Sequence, residues 1–241
     1  MSSTAVDPLR EKLRCPPLPL LRCLPKMGRV MLAVKSDGIT HERMGLVEDV
    51  TVLGSQVHCS GAAHDAQIEY TEIDGMIVDR TGRMRDQMLP RIDFLGRNGE
   101  TLFSVTGLDG LEPFNAALRP LGAGEPLAEE MRKPSPQTTV ADGDAGGVPL
   151  TAASKHRSPI AIEFHRPAVW QRWHGVVQEA VAAMGFINVI QPDFHLHVRG
   201  GSVTHWGRKA APPLVELAAA GADGSALGLV LVGDPAAFGE D

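Results

Sequence analysis

His195 and His197 stand two residues apart in the run Phe194-His195-Leu196-His197-Val198, where apolar and imidazole side chains alternate. A period of two marks a strand with one buried face, so both imidazoles leave the same face with Cβ atoms roughly 6.5–7 Å apart. A ring nitrogen with a free lone pair is a metal ligand, and this spacing lets one ring hold a metal while the other faces a pocket or solvent. The alternative is that the pair is polar surface on a half-exposed strand. His165 and His174 flank Trp170 and Trp173, a second grouping of imidazole with aromatic rings. Six of the nine histidines fall between His156 and His205, so the chemistry concentrates in the second half of the chain.

The elements that must carry these residues come in two sets. From about Pro120 to Pro159 the chain is rich in Pro, Gly, Ala, Ser and Thr and short of large apolar residues. Such a stretch buries too little surface to offset its ordering entropy, and it reads as a flexible linker apart from a short helix around Leu127–Met131. It separates a first unit, residues 28–119, from a second, residues 160–241; residues 1–27 form a partly helical N-terminal segment. At an offset of 130, Gly45-Leu46-Val47-Glu48 falls on Gly175-Val176-Val177-Gln178 without a gap.

Both units also contain an apolar run, a turn dipeptide and a second apolar run. In the first the turn is Asn98-Gly99 and in the second Asp223-Gly224. These dipeptides suit two-residue hairpins because both central positions need positive φ. Val30 to Val34 leads to an Asp37-Gly38 turn, and Phe194 to Val198 runs to Gly200-Gly201 before Ser202 to Trp206, which reads as another hairpin. Leu111 to Leu118, with Pro113 in its first turn, reads as a helix closing the first unit. Ala168 to Met184 has helical spacing, but Gly175 would cost a mid-helix position about 1 kcal/mol, and the match to the first copy favours a strand. The expected fold is α+β: two tandem degenerate repeats, each an antiparallel β-sheet with flanking helices.

Composition narrows the function. Of 241 residues, 43% are apolar, enough for a substantial core, and 23 Lys and Arg against 29 Asp and Glu leave a net charge of −6. A mildly acidic chain without a basic run is a poor match for a nucleic-acid backbone. No stretch of about 18 apolar residues occurs, and Met1 to Arg14 lacks the apolar core of a signal peptide, so no membrane insertion is expected and the expected compartment is the cytoplasm. Cys15, Cys23 and Cys59 form no CxxC pair and read as buried or incidental thiols. No phosphate loop of the GxxxxGK[ST] type, no GxSxG and no HExxH is present. Glu69, Glu72 and Asp74 read as a solvated acidic face.

Gly28-Arg29-Val30-Met31-Leu32-Ala33-Val34, followed by Thr40-His41-Glu42-Arg43-Met44-Gly45, resembles the opening of the HemS/ChuS/ChuX-type haem-utilisation proteins. Ile187 to Arg199 is similar to that family's LNVLDPDFNLHLRE run, Arg208-Lys209 falls where its VRKP motif does, and the two hairpins match its SLQFFD and SLELFD segments. The resemblance spans most of residues 20–119 and 160–233. It implies a cytoplasmic protein that binds haem as cofactor or cargo and exchanges it with a donor or acceptor protein. In the family haem is held by a His from the segment joining the repeats and an Arg on a first-repeat strand. Here the joining segment has only His156, and Gln67 stands at the Arg position.

Haem needs an axial ligand, a flat apolar slot and cations for two propionates. The candidate cofactor-binding residues are His197, His195, His174, Trp173, Arg208 and Lys209, with His197 and His174 as candidate iron ligands. Trp173 and Trp170 would suit a porphyrin wall, with core packing as the alternative. Arg208 and Lys209 come from the resemblance, which places the Lys near a propionate. His41 is expected to make a hydrogen bond that fixes its strand, and Tyr70 to pack. Three functions stay in view: haem trafficking or storage, haem cleavage by an oxygenase of the same family, and a non-haem interaction or regulatory module on the same fold.

Overall fold

The structure, a computed structural model, describes residues 8–128 and 139–239. The N-terminal segment supplies a short strand β1 (Arg10–Lys12) and helix α1 (Pro17–Leu21). Alternation at Val30, Leu32 and Val34 builds β2 (Arg29–Ser36), and Asp37-Gly38 turns it into β3 (Ile39–Leu46). A meander follows: β4 (Asp49–Leu53), β5 (Gln56–Ser60) and β6 (Asp65–Glu69). After β7 (Gly75–Asp79) comes a small hairpin of β8 (Arg83–Met84) and β9 (Gln87–Met88). β10 (Arg91–Leu95) and β11 (Thr101–Gly107) meet at Asn98-Gly99, and α2 (Leu111–Leu118) buries Phe114 and Leu118.

Between the repeats β12 (Glu125–Pro126) pairs with β1, and α3 (Val148–His156) buries Leu150 and Ala153. The stretch from Val148 to His156 is therefore a helix rather than flexible linker, started by Pro149 in its first turn. The helix expected at Leu127–Met131 lies, from residue 129 on, outside the described residues.

The second repeat runs β13 (Pro159–Arg166), β14 (Val169–Val176), β15 (Val181–Ala183), β16 (Phe186–Gln191) and β17 (Phe194–Arg199). It ends with β18 (His205–Ala211), β19 (Leu214–Ala220), β20 (Ala226–Gly233) and a 3-10 turn at Pro235–Phe238. β13 and β14 follow β2 and β3 at a constant offset of 130 residues. Val169–Val176 is a strand, as the copy match indicated, and Gly175 is required there: a Cβ would lie 2.6 Å from the Trp173 ring.

The architecture is antiparallel α+β, but the repeats exchange strands. One sheet runs β12-β1-β7-β10-β11-β2-β3-β17-β16-β15 and the other β18-β19-β20-β13-β14-β6-β5-β4. The β4–β6 meander of the first repeat thus completes the second repeat's sheet, and β15–β17 completes the first's. The two junctions have equivalent registers, Val198 facing Ile39 at β17–β3 and Ile68 facing Val169 at β6–β14.

This exchange overturns one expected hairpin. β17 has β3 and β16 on its two edges, so the chain after Gly200-Gly201 leaves that sheet, and β18 pairs with β19 instead.

The sheets pack through their inner faces. Phe194 of β17 stacks on Trp173 of β14 with ring centroids 4.7 Å apart, and both are buried. Beside them lies a polar clasp between equivalent positions of the two repeats: His41 bonds the Ile162 carbonyl at 3.1 Å and Gln171 reaches the Leu32 carbonyl at 3.3 Å. Gln171 Nε2 also donates to His41 Nδ1 at 2.8 Å. At the far end of the longer sheet, β1 is pinned by a buried Glu11–Arg80 ion pair at 2.7 Å, and Arg80 also donates to Asn115.

Candidate functional site

The outer face of the longer sheet forms a cavity of about 580 Å³, within the range typical of small-molecule and cofactor sites. Strand alternation selects its lining: Val30, Leu32 and Val34 turn inward, so Met31, Ala33 and Lys35 turn out, and Thr40 and Glu42 do the same on β3. Phe186 from β16, Leu89, and Arg83 from the β8–β9 hairpin complete the walls, with Arg91 from β10. On β17 the inward side chains are Phe194, Leu196 and Val198, which leaves His195 and His197 on the outer face.

His197 lines the cavity, and its tautomer is determined by its neighbours. Asn188, opposite it on β16, donates its amide to the carbonyls of Val181, Ala183 and Phe186 at 3.3, 3.1 and 3.0 Å. That orientation leaves Asn188 Oδ1 facing His197 Nδ1 at 2.6 Å, and an amide oxygen only accepts. The proton of the neutral ring is thus on Nδ1, and Nε2 presents its lone pair, the arrangement that outer hydrogen bonds impose on ligating histidines.

Glu42 faces His195 directly across the β3–β17 pairing, with Oε2 3.4 Å from His195 Nδ1 and 3.9 Å from His197 Nε2. Burial raises the Glu42 pKa, but the facing His195 imidazole, 3.4 Å away, outweighs it and holds the carboxyl below its ordinary range, so the cluster contains a carboxylate. Cations lie nearby: Lys35, Arg83 and Arg91 line the cavity, Arg91 pairing with Asp93 at 2.7 Å while its buried Nε has no partner.

Of the residues expected to form one site, the structure brings together only His195 and His197. His174 lies on the other sheet, in a polar cavity of about 400 Å³ shared with Arg43, His64, Asp65 and Arg172. Trp173 is 3% exposed and fills the core against Phe194, so it walls no pocket. Arg208 and Lys209 are on β18, the opposite sheet's edge, with Lys209 Nζ 3.4 Å from Glu216. His165 and Trp170 both bond Glu163, at 2.8 and 3.2 Å. His156, at the end of α3, lines a third cavity of about 550 Å³ between that helix and β15–β16. Tyr70 donates its hydroxyl to the Gly54 carbonyl, and His41 is fully enclosed by the clasp.

Sequence reasoning missed Glu42, Asn188, Lys35 and Arg91. Alternation alone would have put Glu42 and Asn188 on outer faces, since each is flanked by inward residues. Asn188 meets His197 across the local β16–β17 hairpin, whereas the meeting of Glu42 with the histidines depends on the exchange of strands between repeats, which no local signal reports.

No protein-family model and no curated protein sequence matches the chain. Solved structures do. Holo-PhuS, a heme-binding protein from Pseudomonas aeruginosa, aligns with a TM-score of 0.75 at 16% identity, over 93% of this chain and 81% of that chain. ChuS, an E. coli heme oxygenase, aligns with a TM-score of 0.74 at 17% identity, over 94% and 83%. The chain shares the fold of these structures. Among the described residues no helix is long and apolar enough to cross a membrane.

Proposed function

We propose that the protein binds haem in the outer-face cavity of the longer sheet, where His197 would hold the iron. The observation that carries this reading is the combination of a wall imidazole, its Nε2 kept unprotonated by Asn188, with an apolar lining and basic side chains in one cavity. Met31, Ala33, Leu89 and Phe186 offer apolar surface to a porphyrin face. Lys35, Arg83 and Arg91 offer charge-assisted bonds to propionates. The fold shared with a heme-binding protein and a heme oxygenase supports the same ligand class. Bound iron supplies the redox and ligand-binding chemistry of the group; the chain's residues bind and orient it.

On this reading the protein is a cytoplasmic haem carrier or store that receives haem from a donor protein or passes it to an acceptor. Binding is preferred to cleavage because the residues to which the cavity gives a role, His197, the apolar wall and three cations, are groups that hold haem.

Titration of the purified chain with haemin, followed at the Soret band, tests the proposal. Saturation near one equivalent with a sharp band, lost in His197→Ala, is the expected result. A broad absorbance that never saturates and is the same in both proteins refutes it. Retention of the sharp band in His197→Ala would move the ligand elsewhere, His156 being the first position to examine.

A further inference from the structure

Glu42, His195 and His197 are the described residues whose imidazole and carboxylate donor atoms converge, all within 4.8 Å of one another. At 3.4 and 3.9 Å, the contacts of Glu42 with His195 and His197 are long for hydrogen bonds. They are close to the spacing a shared ion produces: donors about 2.0–2.2 Å from a tetrahedral metal lie about 3.3–3.6 Å from each other. Asn188 Oδ1 accepts from His197 Nδ1, so Nε2 turns a lone pair toward the Glu42 carboxylate 3.9 Å away, and a cation between these two acceptors removes the conflict.

We propose that Glu42, His195 and His197 form a binding site for one divalent first-row transition ion, of the Zn²⁺, Co²⁺ or Fe²⁺ class. Two imidazoles and one carboxylate suit these ions better than Mg²⁺ or Ca²⁺, which prefer all-oxygen sets. All three side chains are partly exposed, which gives the ion an entry path, and Glu42 and His197 line the cavity, which leaves a coordination position open to it. Asn188 is the positioning residue: it touches no ion but sets which nitrogen of His197 can ligate. The site stands independently of haem binding. Because both use His197, ion and haem exclude each other there.

The test is titration of the untagged, haem-free chain with Co²⁺, read by its visible ligand-field bands. One equivalent should bind with the intense bands of a low-coordinate site. The isosteric Glu42→Gln and His195→Ala should each weaken binding at least about tenfold, and Asn188→Ala about 10- to 100-fold. His174→Ala, in a different cavity, should leave it unchanged. Far-ultraviolet circular dichroism confirms that each variant folds. X-ray absorption of the Zn²⁺-loaded wild-type chain needs no variant and should show two imidazoles and oxygen around the metal.

Absence of stoichiometric binding, binding indifferent to Glu42→Gln and His195→Ala, or an all-oxygen metal environment overturns the proposal. Saturating Zn²⁺ should weaken haemin binding at least tenfold in the Soret titration. If haemin gives no sharp band at all, the haem reading fails while the Co²⁺ result still decides this one.

Discussion

Lowering the pH from 7 to 5 is expected to cost the fold about 2 kcal/mol through His41 alone. The ring is fully buried; its Nδ1 accepts from Gln171 at 2.8 Å and its Nε2 donates to the Ile162 carbonyl at 3.1 Å. Both nitrogens are satisfied only in the neutral form. Burial first, then the Arg43 charge, push its pKa down to about 3, against the opposing pull of the Ile162 carbonyl and Glu42. In the unfolded chain it titrates near 6.5. Well above that value neither state binds the proton, and the histidine adds no pH dependence. Below it the unfolded state takes up a proton that the native state refuses, so stability falls by about 1.4 kcal/mol per pH unit until the pH reaches about 3.

His64, pushed to about 4 chiefly by burial, adds a similar slope, so the His41 share must be isolated by a variant. Glu42, its carboxyl held low by His195, loses stability only below the ordinary carboxylate range and stays out of this window. His41→Gln is the substitution of choice, because Gln171 already occupies the equivalent position of the second repeat and reaches the matching carbonyl of Leu32 at 3.3 Å. Urea unfolding of wild type and variant at pH 5, 5.5, 6, 6.5 and 7 gives the difference directly. The variant should gain about 2 kcal/mol relative to wild type between pH 7 and pH 5. Parallel stability curves across that window would refute the assignment of a buried, neutral His41.

Two stability predictions follow from packing and charge. Phe194→Ala removes the ring that stacks on Trp173 and contacts His41, and should cost about 3–5 kcal/mol, read as a lower urea midpoint with little change in slope. Glu11→Ala leaves the Arg80 guanidinium, 6% exposed, without its carboxylate and should cost about 3–5 kcal/mol; Arg80→Met in the same chain should recover most of the loss.

The sequence by itself determined what is local. Alternation at Val30-Leu32-Val34 and at Phe194-Leu196-Val198 set which side chains face inward, and with them the outward placement of His195 and His197. Asn98-Gly99 and Asp223-Gly224 marked two hairpins, but each turn is a longer loop than the two-residue type expected, with only the glycine at positive φ, +79° at Gly99 and +78° at Gly224. The constant offset between β2–β3 and β13–β14 made the duplication readable, and with it the strand at Val169–Val176. Trp173 could not be placed: an indole beside histidines reads the same whether it lines a pocket or fills a core.

Tertiary structure alone decided which strands are neighbours. Pairing β17 with β3 joins positions more than 150 residues apart, and strand alternation carries no information about which edge a strand will meet. That one pairing puts Glu42 opposite His195, brings His197 to a cavity rimmed by first-repeat cations, and leaves His174, Arg208 and Lys209 on the other sheet. The side chains were given their faces by local pattern; they were given their companions by the exchange of strands between the repeats.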